Sequence, residues 1–223
     1  MDPKSGLCFR CGKPGHKTAE CPEPPPKPKP ERAGFCVIGL VFGLEEESEA
    51  ENLTDVMAAV LKEHVVSRGM GMLDCGATDT VGGYEAVEAL ANRTQDRFGD
   101  DAVKVDPSVN PTYRFGNHQK EVCMSEVKAT VEPMGVASVL NIHALPVPKA
   151  PILISVKSMG TLGAAINFTT GRAIFHYLNP NKCVQLYRSA GGHLYVDFFD
   201  AMPEVDGGLK ALMDFSETAV KTS

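Results

Sequence analysis

Hydrophobic positions are unevenly organised along the chain. From Gly69 onward they fall in short runs: GMGMLD, TYRFGNHQ, EVCMSEVKATV, VASVLNIHAL, PILISV, AAINFTTGRAIF, CVQLY and HLYVDFF. Runs of this length, broken at Gly116, Gly135, Gly171 and Gly191–Gly192, predict strands joined by hairpins. Many short strands with regular punctuation predict a packed or closed β architecture. Two stretches have helical spacing instead. Leu53, Val56, Met57, Val60 and Leu61 recur at i, i+3, i+4, i+7 and i+8 behind a capping Asn52, and YEAVEALANRTQ predicts a second helix over about 84–95. GFCVIGLVFG at 34–43 predicts one more strand, and EEESEAE at 45–51 a solvated acidic loop. The last fifteen residues read as weakly ordered, and no internal repeat is visible.

The N-terminus follows neither pattern. PEPPPKPKPER at 22–32 favours extended polyproline II and acts as a semi-rigid spacer. The expected organisation is a small unit at 1–22, a proline-rich linker at 23–33, a connecting strand, acidic loop and helix at 34–68, a β domain at 69–205 and a tail at 206–223. Charge divides the same way. Residues 1–33 carry seven cations against four anions, a net +3 on a chain of net −6, which leaves −9 for the remainder. A basic piece on an acidic body implies two tasks. At 223 residues, 43% of them hydrophobic, the chain is long enough for a real core. It shows no signal-peptide h-region and no run of 18 apolar residues, so a cytoplasmic or nuclear, non-secreted protein without a membrane partner is expected. Cys36, Cys75, Cys123 and Cys183 are accordingly read as reduced thiols.

The other three cysteines lie in CFRCGKPGHKTAEC at 8–21, with spacing C-x2-C-x4-H-x4-C. Cys8, Cys11, His16 and Cys21 supply three thiolates and one imidazole, the ligand set a tetrahedral structural Zn²⁺ takes. Gly12 and Gly15 let the chain wrap closely around one ion. A peptide this small folds on metal binding, not on apolar burial. A redox-sensitive or purely structural cysteine cluster is the alternative. The run resembles the CCHC zinc knuckle of retroviral and retrotransposon nucleocapsid proteins. That resemblance implies single-stranded RNA or DNA as partner, with Phe9 stacking on an exposed base and Arg10, Lys13 and Lys17 meeting phosphates.

MLDCGATDT at 72–80 sets an aspartate at the end of an apolar strand, followed by a small residue and glycine. Alone, Asp74 reads equally as a turn or capping aspartate. About eighty residues later comes PILISV, an apolar pair before a small residue, with the hairpin TYRFGNHQKEV between. Together these marks, with LNIHALPVPKAPILISV and LGAAINFTTGRAIF, resemble the retropepsin-like region of copia-type LTR retrotransposon Gag–Pol polyproteins, in which a zinc knuckle precedes the protease. The resemblance implies a mainly β, acid-protease fold with one or two helices. It also implies catalytic Asp74 in an active-site loop of Cys75, Gly76, Ala77 and Thr78, a flap at Gly116 and Asn117, and a homodimer acting on a polypeptide substrate. Asp79 is read as a loop or supporting residue. Family members usually carry Ser or Thr at the place of Cys75, where the hydroxyl locks the two active-site loops together; a thiol is a weaker partner. A nucleophilic Cys75 lacks a histidine placed by local motif to activate it. The chain is thus expected to be a retroelement-derived protein that binds single-stranded nucleic acid and cleaves peptide bonds. The alternative is a nucleic-acid-binding protein with an inactive, protease-like dimerisation domain.

Overall fold

The computed structural model describes residues 7–25, 34–35, 64–115, 120–189 and 191–215. In chain order its strands are β1 (Gly34–Phe35), β2 (Gly71–Asp74), β3 (Val81–Gly83), β4 (Val103–Asp106), β5 (Thr112–Arg114), β6 (Lys120–Val122), β7 (Ser125–Val131), β8 (Ser138–Leu145), β9 (Ile152–Ser155), β10 (Ala164–Asn167), β11 (Arg172–Phe175), β12 (Cys183–Gln185), β13 (Tyr187–Arg188), β14 (Leu194–Val196) and β15 (Glu204–Val205). The helices are α1 (Tyr84–Phe98), α2 (Val156–Thr161) and α3 (Gly208–Leu212), besides a helical turn at 64–67. The architecture is mainly β, with more helix than the expected one or two. Most of the strand and helix expected over 34–63 lies outside the described residues, as do the flap residues Gly116 and Asn117.

Eight strands form one sheet in the order β13-β14-β2-β9-β3-β8-β7-β4. β2 and β9 run parallel with Asp74 opposite Ser155, and β3 runs parallel to β8. Of these, β2 and β9 read as near-continuous apolar runs because both faces are covered. Leu73, Ile152 and Ile154 belong to one buried cluster; Met72, Val81 and Leu153 belong to another. β7 instead alternates: Val127, Ala129 and Val131 point inward and Lys128 is exposed, the pattern of a strand with one wet face.

α1 closes the first cluster. Ala86, Val87, Leu90, Ala91 and Thr94 form its buried stripe, spaced for one helical face. It ends at Gly99, whose φ of +87° only glycine adopts freely and whose N–H bonds Gln95 O. The chain enters β2 through Gly69 (φ +59°), where a Cβ would lie 2.5 Å from the Leu90 backbone nitrogen. At the same corner a buried ion network ties three distant segments. Arg93 grips Asp197 with two bonds of 2.8 and 3.3 Å, and Arg68 reaches Asp197 at 3.1 Å. The carboxylate also accepts from Phe199 N and Asp200 N, so Asp197, 1% exposed, is fully engaged.

The segment read as a weakly ordered tail is packed as far as Leu212. Ala211 and Leu212 are buried, and their carbonyls accept from Arg172 Nη1 (3.1 Å) and Asn167 Nδ2 (2.8 Å). Side chains of the β10–β11 hairpin thus satisfy the end of α3, which a local reading of a Gly-Gly pair does not anticipate.

Candidate functional sites

Cys8, Cys11, His16 and Cys21 are brought together, their ligand atoms all within 4.8 Å of one another. The first turn is closed by Gly12 N–H to Cys8 O (2.7 Å) and Cys8 N–H to Lys13 O (3.0 Å). Gly12 (φ +71°) and Gly15 (φ +99°) take the left-handed conformations this tight path requires. A short 3-10 turn, Thr18–Glu20, then delivers Cys21. The fit to a metal is direct: Zn–S bonds of about 2.3 Å span a tetrahedron whose edges are close to these separations. Burial alone would raise the Cys8 thiol, but hydrogen bonds, the backbone N–H groups of Cys11 and Arg10 foremost, outweigh it and hold it below its ordinary value. Burial instead pushes the Cys21 thiol up to about 11, so of these two Cys8 more readily supplies the thiolate a metal needs. These four residues fit one structural Zn²⁺, which supplies folding energy and no open coordination position.

The expected nucleic-acid residues divide. Lys13 and Lys17 are exposed; Lys13 pairs with Glu23 at 3.2 Å, and Lys17 lies 3.7 Å from Glu88 on α1. Arg10 donates through Nη1 to Glu23 O. Phe9 corrects the sequence reading. It is not an exposed platform: it is 2% exposed and belongs to the main core cluster. The ring packs inward because the knuckle lies against the β domain, with the Gly12 turn beside Val105 and Pro107.

Asp74 ends β2 at the point where β9 ends in Ser155. Its Oδ1 accepts from Gly76 N–H (2.8 Å), while its Oδ2 is buried without a hydrogen-bond partner among the described residues. Burial pushes the carboxyl up, opposed by the N–H groups of Gly76 and Ala77 and by the charge of His193. Cys75 and Thr78 are exposed, Gly76 is half-buried, and Ala77 is buried. The loop is tied to β9 and α2: Val156 N–H bonds Ala77 O (3.1 Å), and Ser155 N–H bonds Thr80 Oγ1 (3.2 Å). Ser155 also caps α2 by accepting from Ser158 N–H (3.2 Å). Thr80, Ser158 and His193 carry no local sequence signal for this role. An apolar cavity of about 240 Å³ lies beside Thr80 and Ser155, walled by Leu73, Ile154, Phe175 and Phe198; its lining does not include Asp74.

Asp79 takes part in a separate polar chain. The Tyr113 hydroxyl lies 3.4 Å from Asp79 Oδ2 and is hydrogen-bonded to His143 Nδ1, and His143 Nε2 lies 3.7 Å from Glu126. This joins β5 of the hairpin to the loop that follows Asp74 and to β8. Burial holds the His143 imidazole below its ordinary value, against the pull of Asp79 and Glu126.

No helix among the described residues is long and apolar enough to cross a membrane. No curated protein and no solved structure is detectably similar to the chain. Residues 6–23 match the zinc knuckle family, and this N-terminal module is a CCHC zinc knuckle.

Proposed function

We propose that the chain is a zinc-knuckle protein that contacts single-stranded nucleic acid and whose β domain is a retropepsin-like aspartic peptidase assembled from two copies. The observation that carries the enzymatic part is the state of Asp74: one oxygen held by Gly76, the other buried and unpaired, at the end of a strand in register with Ser155. A buried carboxylate oxygen without a partner costs free energy unless something completes it. The Asp74 of a second copy is the natural completion. Two carboxylates about 3 Å apart share one proton and titrate as a unit. The ionised member takes a proton from water as that water's oxygen attacks the peptide carbonyl. The protonated member gives its proton to the carbonyl oxygen, and collapse returns a proton to the departing amine. Burial of Asp74 favours the protonated member of such a pair. Asp79 is engaged with Tyr113 and is not the second carboxylate.

In the knuckle, Arg10, Lys13 and Lys17 supply phosphate contacts. The ion pairs of the two exposed lysines contribute little in water, and phosphates readily replace them. The exposed thiol of Cys75, where a hydroxyl would couple the two loops better, favours a second reading in which the same dimer is inactive.

The test is peptide hydrolysis by the full chain from about pH 4 to 7, over a range of protein concentrations, beside Asp74→Asn. Activity that rises more steeply than linearly with concentration, and falls about 10²–10⁴-fold in the variant, supports the peptidase. A folded, zinc-loaded protein without Asp74-dependent cleavage leaves the second reading.

A further inference from the structure

The position of Phe9 sets the knuckle apart from a free appendage on a linker. The ring sits between two zinc ligands in sequence and inside the core of the β domain in space. Two further contacts fix the module. Lys17 pairs with Glu88 on α1, and a Cβ at Gly12 would meet the Pro107 ring at 3.6 Å and Val105 O at 3.8 Å. Val105 belongs to β4, the outermost strand of the eight-stranded sheet, paired on one side with β7. Such an edge is normally protected by a charge, a bulge or a covering element. Here the covering element is the knuckle's first turn. The loop from Cys8 to Cys21 is held by a few turn bonds and one 3-10 turn, too little to fix a peptide of this size without the metal.

We propose that the knuckle is a zinc-held latch on the corner formed by α1 and β4, and that single-stranded nucleic acid reaches Phe9 only when the latch lifts. The second half rests on the nucleic-acid reading given above; the first rests on the burial of Phe9 and the contacts at Gly12 and Lys17. One phenyl ring cannot fill the core and stack on a base at the same time. Docking and stacking therefore compete, and each weakens the other by the same factor. Removing zinc releases the loop, withdraws the ring and uncovers β4.

Amide hydrogen exchange of the unmodified full-length protein, with and without a zinc chelator, tests the latch. Faster exchange in 86–91 and 103–106 on chelation, with 125–131 unchanged, is expected. Equal exchange in both states overturns the latch. The chain has no tryptophan, so Phe9→Trp adds a single reporter. Its emission should be that of a buried indole in the zinc-loaded protein and shift to the red on chelation. A water-exposed emission in the zinc-loaded state again overturns it. Pro107→Glu loosens docking without touching a ligand, a phosphate-binding residue or the ion-pair partner of one. An unstructured oligo(dT) should bind this variant at least about fivefold more tightly than the parent. Equal affinity overturns the competition and leaves the latch to the exchange result. Absence of binding in both proteins removes the nucleic-acid reading together with the competition, and the exchange result still decides the latch.

Discussion

In the knuckle, four ligands come from fourteen consecutive residues, and a metal holds them; in the Asp74 loop, the chemistry rests on strands eighty residues apart and on packing alone. The knuckle is specified by local spacing and can be destroyed by removing one ion. The loop is specified by register: Asp74 meets Ser155 only because β2 and β9 pair along their whole length and are buried on both faces. Metal-organised chemistry is therefore robust to the surrounding fold but dependent on its cofactor. Register organises the Asp74 loop, and it leaves Asp74 with an oxygen that no described residue satisfies.

This comparison breaks first at the metal. Cys11→Ser removes one thiolate from a module whose folding energy, about 10–16 kcal/mol in isolated zinc-finger peptides, comes from binding. The tetrahedral absorption of the cobalt-substituted protein should disappear, while the far-ultraviolet circular dichroism of the β domain persists. Loss of the whole β signal would show that the two regions are not separately organised. Next comes the fold-organised side. Asp197→Ala removes the buried carboxylate that Arg68 and Arg93 share and leaves them only the exposed Asp200, and urea unfolding should report a loss of about 1–3 kcal/mol. Retained stability would mean that the network contributes geometry only.

A smaller effect sharpens the picture at the loop. Cys75→Ser restores a hydroxyl beside Asp74, and one added hydrogen bond, about 0.5–1.5 kcal/mol, should lower the protein concentration for half-maximal hydrolysis by up to about tenfold. An unchanged concentration dependence would show that Cys75 does not face the second copy. The smallest effect concerns His143. Its imidazole is held below its ordinary value, so the folded state binds this proton less readily than the unfolded chain. Its contribution to stability is therefore present above about pH 6.5 and is lost as pH falls, by at most about 1.4 kcal/mol per pH unit. His143→Gln should flatten the stability curve between about pH 6.5 and 5; an unaltered slope would assign it to other groups.

What could be read in advance follows from the same contrast. The zinc ligands were legible because their spacing is complete within one short run. The runs MLD and ILIS were legible as strands because burial on both faces leaves no polar position before the terminal Asp74 and Ser155. Phe9 was not, because its burial depends on α1 and β4, about eighty to a hundred residues away, and an aromatic beside zinc ligands reads the same whether it faces a base or a core. The Arg68–Arg93–Asp197 network was not either: its members are up to 129 positions apart and follow no motif. The packed end at Leu212 escaped notice because its stabilising donors, Asn167 and Arg172, belong to a hairpin some forty residues earlier.

The register between Asp74 and Ser155 also bears on how such a chain can change over generations. The loops between them can lengthen or shorten without disturbing which residue stands beside the carboxylate. Within 71–74 and 152–155 the tolerance is of another kind. A change of residue can be absorbed there, but gain or loss of a single position turns every following side chain to the opposite face of the sheet. Insertions and deletions should therefore accumulate between the two strands and be almost absent within them.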